Sequence, residues 1–212
     1  MERLQDRHPG LVVEACASGG MRADHATLSR VPVQSLTDQQ DETLIPAIAA
    51  AAPTVVPPEQ GAVWAYPQPD FDDERIVFTM VSAMLGRIHL SGRLDLLSGH
   101  QLDLVTAAIE VYRTYRRALA DGIPRWPLGI PGWRDGWLAL AIDCDDETFL
   151  AVWRRDSTEP TCDVPLSPAS VSLLYPVDAA PCWTNDDTLR ITLPEPYTAR
   201  LLRLTNNPPG KA

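Results

Sequence analysis

The sequence predicts an α/β part over residues 1 to 130 followed by an all-β part over residues 131 to 212. Three observations carry this. Near the N-terminus two short apolar runs flank a helix-like crossover, the rhythm of parallel α/β architecture. One long helix, with its cap legible, spans Ser98 to Ala120. Beyond Pro131 the apolar pattern shifts to period two, with Pro and Asp clusters between the runs, as in an antiparallel sandwich.

Composition bounds the answer. At 212 residues, 45% hydrophobic and 22% charged, the chain can bury a core, and wholesale disorder is excluded. Twenty prolines against 12 glycines argue against a simple helical bundle. The formal charge of −10 makes nucleic acid and anionic membranes poor partners, since both require concentrated positive charge. No run reaches the roughly 18 apolar residues of a membrane span. The N-terminus, MERLQDRHPG, has no signal-peptide core, so a cytoplasmic protein is expected. Cys16, Cys144, Cys162 and Cys182 form no CxxC pair and read as reduced thiols. The four histidines make no metal-binding spacing. No metal or organic cofactor is implied.

Taken in order, Leu11-Val12-Val13-Glu14-Ala15 reads as a buried strand that ends in the small residues Cys16 to Gly20. Small residues there let the backbone approach a ligand closely. An amphipathic piece covers Arg22 to Arg30, and Val31 to Leu36 reads as a second strand with a polar, acidic end, Thr37 to Glu42. Ile45 to Ala52 predicts a short Ala-rich helix closed by Pro53. Pro57, Pro58, Pro67 and Pro69 then frame an irregular stretch holding Trp64 and Tyr66. Asp72 to Leu90 reads as a helix broken near Gly86. In the helix from Ser98, Gln101 completes a capping box and Asp121-Gly122 stops it. A hairpin is expected from Trp137–Ile142 and Thr148–Trp153 around Asp143 to Glu147. Further strands are expected at Val171–Tyr175, Leu189–Leu193 and Ala199–Leu204.

Two of these segments together resemble a known family. Glu14-Ala15-Cys16-Ala17-Ser18-Gly19-Gly20-Met21-Arg22-Ala23-Asp24, followed by Thr37-Asp38-Gln39-Gln40-Asp41, is similar to a paired pattern of the family 36 glycoside hydrolases, the α-galactosidases. That pattern runs E-x-C-(A/S)-(S/G)-G-G-x-R-x-D and then (S/T)-D-x-x-D, and the spacing between cysteine and aspartate also fits. Met80 to Leu90 resembles the family's last barrel segment, and Tyr112-Arg113-Thr114-Tyr115-Arg116 its final barrel helix. The resemblance implies the C-terminal half of a (β/α)8 TIM barrel followed by a small antiparallel β-sandwich, with the site at the C-terminal ends of the strands. It implies a retaining glycosidase acting on terminal α-galactosides, in which one carboxylate attacks and a second protonates the leaving oxygen. Asp38 matches the general acid/base. Cys16 and Gly19 match positions lining the galactose pocket. Arg22 and Asp24 match a pair that braces the loop.

The family's nucleophile, an aspartate in a K-x-D motif, has no counterpart, for the only lysine is Lys211. By the resemblance the chain begins near the middle of a barrel, and two strand edges and an interior face are expected to be open to self-association or to pairing with an N-terminal half. A general acid needs a pKa near the operating pH, and without a partner carboxylate Asp38 is expected to be ionised, so the chain alone is expected to be inactive. Family members carry an aromatic residue just before the (S/T)-D motif, where Gln34 or Ser35 stands, and often glycine at the place of Met21.

Plainer readings stand beside these. Asp38 as a carboxylate capping the next helix, and Cys16 as a buried core thiol, are ordinary roles for such residues. Asp41, Glu42 and Asp70 to Glu74 read as solvated loop charges; Trp64 and Tyr66 as loop anchors or a sugar-stacking platform. Trp126, Trp133, Trp137 and Trp153 are expected at the junction of the two parts. His25 and His89 are not expected to be catalytic. The alternative function is a non-catalytic carbohydrate-binding or self-associating remnant.

Overall fold

A computed structural model describes residues 2–17 and 19–205. The order of elements is α1 (Glu2–Arg7), β1 (Glu14–Ala15), α2 (His25–Leu28), β2 (Val33–Ser35), α3 (Ile45–Ala51), β3 (Gly61–Ala65), α4 (Asp73–Ala83), β4 (Arg87–Leu90) and α5 (Gly99–Tyr115), followed by the strands β5 (Ile123–Arg125), β6 (Trp137–Cys144), β7 (Glu147–Arg154), β8 (Thr161–Val164), β9 (Ser170–Tyr175), β10 (Trp183–Asn185), β11 (Leu189–Thr192) and β12 (Thr198–Thr205). Strands β1 to β4 form a parallel sheet in chain order. The remaining strands make a five-stranded sheet, β5-β6-β7-β12-β9, and a three-stranded sheet, β10-β11-β8. The α/β part followed by an all-β part is thus present, and β5 already belongs to the antiparallel sheet.

Alternation along the central strands shows how the layers stack. Leu138, Leu140 and Ile142 of β6, with Phe149, Ala151 and Trp153 of β7, face the helices; Ala139, Ala141, Leu150 and Val152 face the three-stranded sheet. Both faces are buried, so these strands are apolar throughout. The smaller sheet covers the outer face with Val164, Leu189 and Ile191, making an antiparallel sandwich. On the inner face lies α4, buried from Ile76 through Ala83. A helix is apolar all round only when neighbours cover every face. Here α3, α5, β3, β7 and β12 do so. Trp153 fixes the junction, its indole N–H donating to Ser82 Oγ at 3.2 Å. Trp126 does the same from the linker, donating to the Ala50 carbonyl at 2.6 Å.

The helix ends follow ordinary chemistry. Ser98 and Gln101 form a complete capping box on α5. Asp72 caps α4, accepting from the Arg75 N–H. Tyr115, buried near the end of α5, donates its hydroxyl to the Met84 carbonyl at 2.7 Å.

Several elements differ from the sequence expectation. The first strand is only Glu14–Ala15, and Leu11 and Val12 are exposed, Val12 by 66%. β1 is the edge of its sheet, with β2 its one strand neighbour among the described residues. The stretch holding Trp64 is not irregular: Gly61–Ala65 is an interior parallel strand. The helix expected to run to Leu90 ends at Ala83, and Arg87–Leu90 is the fourth strand. Gly86 makes the reversal possible, since a Cβ there would lie 2.8 Å from the Gly61 carbonyl oxygen. Glu42 and Glu74 are not free solvated charges; they pair with Arg75 and Arg200. Trp133 is exposed and Trp137 packs on the core between the two antiparallel sheets, so neither sits at the junction. Among the described residues no helix is long and apolar enough to cross a membrane, and the four cysteines are free.

Ser82→Ala leaves the buried Trp153 N–H without its acceptor, and a loss of about 1–3 kcal/mol is expected in a denaturant melt. A smaller effect would mean that Trp153 is held by packing alone.

Candidate functional site

The parallel sheet has two unlike faces. Register places Glu14, Val33, Ser35, Ala62, Trp64, Arg87 and His89 on one of them. Val63, Ala65, Ile88 and Leu90 lie on the other, in the helix-side core. The first face is concave. Strands β1 and β4 are three spacings apart, about 14 Å in a flat sheet. Yet Glu14 Oε1 of β1 lies 3.5 Å from His89 Nδ1 of β4, closer than these side chains could come across a flat surface. Between them Trp64 presents its ring to His89 at 4.9 Å, edge to face, and donates its N–H to Ser35 Oγ at 3.0 Å.

Above the concave face, at the C-terminal ends of β1 and β2, the two sequence motifs meet. Gly19 and Gly20 turn the chain after β1 with φ of +61° and +85°, a region costly for any residue with a Cβ. They also lie against the end of β2. A Cβ on Gly20 would collide with the Leu36 carbonyl, and one on Gly19 would sit 3.0 Å from Asp38 Oδ2. Conformation therefore favours glycine at both positions, and at Gly20 space requires it as well. Cys16 stands exposed on the same strand end, so the buried-thiol reading fails. Ser18 lies outside the described residues.

Asp38 is exposed, on the segment leaving β2. It caps no helix: the residue preceding α3 is Leu44, with no side-chain cap. The loop around Asp38 is held by its neighbours. Thr37 Oγ1 accepts from the Gln39 N–H, Gln39 Oε1 from the Gln40 and Asp41 N–H groups, and Asp41 Oδ1 from the Thr43 N–H. Glu42, next in line, is tied to Arg75 on α4, whose guanidinium also covers the Phe71 ring. The segment is thus held on both sides of Asp38, which is itself exposed.

Tyr66, just past β3, is the residue the motifs did not single out. Its ring lies nearly parallel to that of Trp64, with centroids 6.1 Å apart. Burial raises its phenolic pKa, and the charge of Asp38 raises it further. The sequence offers Trp64 and Tyr66 together, as loop anchors or as a stacking platform. Arg22 and Asp24 do not form a bracing pair: Asp24 caps α2 through the Thr27 N–H and hydroxyl, while Arg22 is exposed. His25 is exposed, and among the described residues no group of three or more His, Cys, Asp or Glu could hold a metal ion.

Gly20→Ala is expected to cost about 1–3 kcal/mol or more, from positive φ and overlap with the Leu36 carbonyl. Gly10→Ala, with nothing within 4 Å of the added Cβ, should stay within about 0.5 kcal/mol. Equal melts for the two variants would contradict the packed turn. Asp38→Asn removes a negative charge from beside Tyr66, so the Tyr66 pKa should fall in a spectroscopic titration; an unchanged value would separate the two groups.

No family model and no curated protein sequence matches the chain. Solved structures do. The galactosidase domain of the α-galactosidase–sucrose kinase AgaSK matches at 21% identity and a TM-score of 0.74, over 97% of this chain and 30% of its own. The family 36 α-galactosidase AgaB of Geobacillus stearothermophilus matches at 18% identity and a TM-score of 0.73, over 96% of this chain and 30% of its own. An α-galactosidase from Lactobacillus brevis matches at 14% identity and a TM-score of 0.75, over 100% of this chain and 31% of its own. The chain therefore has, along nearly its whole length, the fold of a stretch making up about 30% of these α-galactosidases.

Proposed function

We propose that the chain is part of an α-galactosidase-like glycoside hydrolase of family 36, with Asp38 as general acid/base and Cys16 and Gly19 lining the sugar pocket. The observation that carries this reading is the meeting of the two motifs, Gly19 against the Asp38 carboxylate, at the C-terminal ends of adjacent parallel strands. The order β1-β2-β3-β4 supports it further. Doubly wound sheets reverse their strand order at the ligand crevice. A (β/α)8 barrel adds each strand beside the last and closes on itself. The sheet's sequential order and concave polar face fit half of such a barrel, residues 1–130, with the sandwich of residues 131–212 behind it.

In this reading the sugar lies over the strand ends, where Gly19 leaves room for its hydroxyls. Asp38 protonates the departing oxygen and then removes a proton from water in the second displacement. The nucleophile comes from outside these residues, since the sequence holds no K-x-D aspartate. Terminal α-galactosides are the proposed substrates, and neither metal nor organic cofactor takes part.

One feature favours a second reading, a self-associating or sugar-binding module without catalysis. β1 and β4 are both open edges, and Leu11 and Val12 lie exposed beside β1. Such an edge invites pairing with another chain. Light scattering that shows a monomer, with no stabilisation by galactose, would exclude it.

The 212-residue chain alone is expected to release no p-nitrophenol from p-nitrophenyl α-galactoside above background. Joined to a complementary barrel half, it should hydrolyse α-galactosides. There Asp38→Asn should lower the rate by about 10²–10⁴-fold on substrates with a sugar leaving group. The loss should be smaller with p-nitrophenol, which departs with less protonation. Full turnover by the Asp38→Asn form would end the assignment.

A further inference from the structure

At the N-terminal ends of the strands of the parallel sheet, a cleft of about 430 Å³ lies between the start of β4 and the end of α5. Arg87, Arg116, Arg117, Tyr112 and Glu59 are among its lining residues. This is a concentration of positive charge in a chain whose net charge is −10. Nine of the other arginines are engaged; Arg3, Arg7, Arg22, Arg113 and Arg134, outside the cleft lining, form no ion pair among the described residues. Arg30, Arg75, Arg93, Arg125, Arg190, Arg200 and Arg203 form ion pairs. Arg154 and Arg155 are spent on backbone carbonyls. Arg87, Arg116 and Arg117 have no carboxylate partner among the described residues, although they come from two different elements.

Arginines at the end of a helix are often explained by its dipole. That accounts for Arg116 and Arg117, but not for Arg87, which enters from β4. Arg87 is held in place by donating its Nε–H to the Glu59 carbonyl, which leaves its terminal nitrogens free. Arg87, Arg116 and Tyr112 line the same cleft; burial raises the Tyr112 pKa and the two guanidiniums lower it. Glu59 is the one acid in the lining, and its Oε2 is buried without a partner. Three guanidiniums against one carboxylate leave the cleft positive.

We propose that this cleft binds a phosphate group. Guanidinium forks match the paired oxygens of a tetrahedral oxyanion, and the Tyr112 hydroxyl offers one further donor. The positive patch is too local for a nucleic-acid backbone, but it suits one phosphate, free or carried on a small molecule. The site is independent of the glycosidase reading, since Asp38 and Gly19 lie at the other ends of the strands.

Calorimetry on the 212-residue chain tests it, with inorganic phosphate, glucose 6-phosphate and glucose as probes at fixed ionic strength. Binding of one or both phosphates, but not of glucose, is expected. The exposed pair R116A/R117A should weaken binding at least tenfold without moving the melting temperature. R134A, an exposed arginine elsewhere, should leave it unchanged. Tighter binding of glucose 6-phosphate than of phosphate would identify a phosphorylated ligand, and equal binding free phosphate. Absence of binding by either phosphate at millimolar concentration, indifference to R116A/R117A, or an equal loss in R134A would overturn the proposal.

Discussion

Everything else in this molecule depends on the burial of α4. Ile76, Phe78, Met80, Val81 and Ala83 are fully enclosed, although they point around the whole circumference of the helix. Burying a large apolar side chain contributes roughly 1.5–3 kcal/mol, and several such residues lie within little more than two turns. Neither large sheet could hold its position without this helix, because α4 contacts β3 and β4 on one side and β7 and β12 on the other. The parallel and antiparallel parts therefore share one core, which runs from Ile45 and Val63 to Leu140, Trp153 and Leu201.

The same helix reaches the candidate site through its polar end. Glu74 pairs with Arg200 on β12, whose side chain is only 11% exposed. Arg75, the next residue, pairs with Glu42 at the end of the segment that carries Asp38. A buried charge left without its partner is costly, so these pairs enforce geometry more than they add stability. A rigid line thus runs from the sandwich, through the first turn of α4, to the loop after β2. The sandwich is thereby linked to the loop that carries Asp38.

How much of this could be read beforehand is decided residue by residue. Ser98 and Gln101 announced α5 because a capping box is local chemistry, and it formed as written. The hairpin of β6 and β7 was legible for the same reason, with apolar runs either side of an acidic turn. The strands β3 and β4 were not. Gly61–Ala65 is five residues set among prolines, and it is a strand only because β2 and β4 supply hydrogen bonds from distant sequence. Arg87–Leu90 continues the apolar pattern of α4, so periodicity alone gave no boundary; the boundary is Gly86, where two backbones meet. In the site, the motifs placed Gly19 and Asp38 on neighbouring strand ends. Trp64 and Tyr66 read together as loop anchors or a stacking platform, but that Trp64 lies in a strand depends on pairing with distant sequence.

The two faces of the parallel sheet divide the work. Val63, Ala65, Ile88 and Leu90 look toward α4 and carry stability. Ser35, Trp64, His89 and Glu14 look the other way, and they are polar where a two-sided apolar sheet would be more stable. Ser35 and Ala62 are fully buried beside one another, and Ser35 Oγ is the acceptor that holds Trp64. A concave polar surface with the strand ends opening above it gains little for the fold taken alone. It makes physical sense as one wall of a site, with Gly19 and Gly20 drawn in so tightly that Asp38 is brought to its rim.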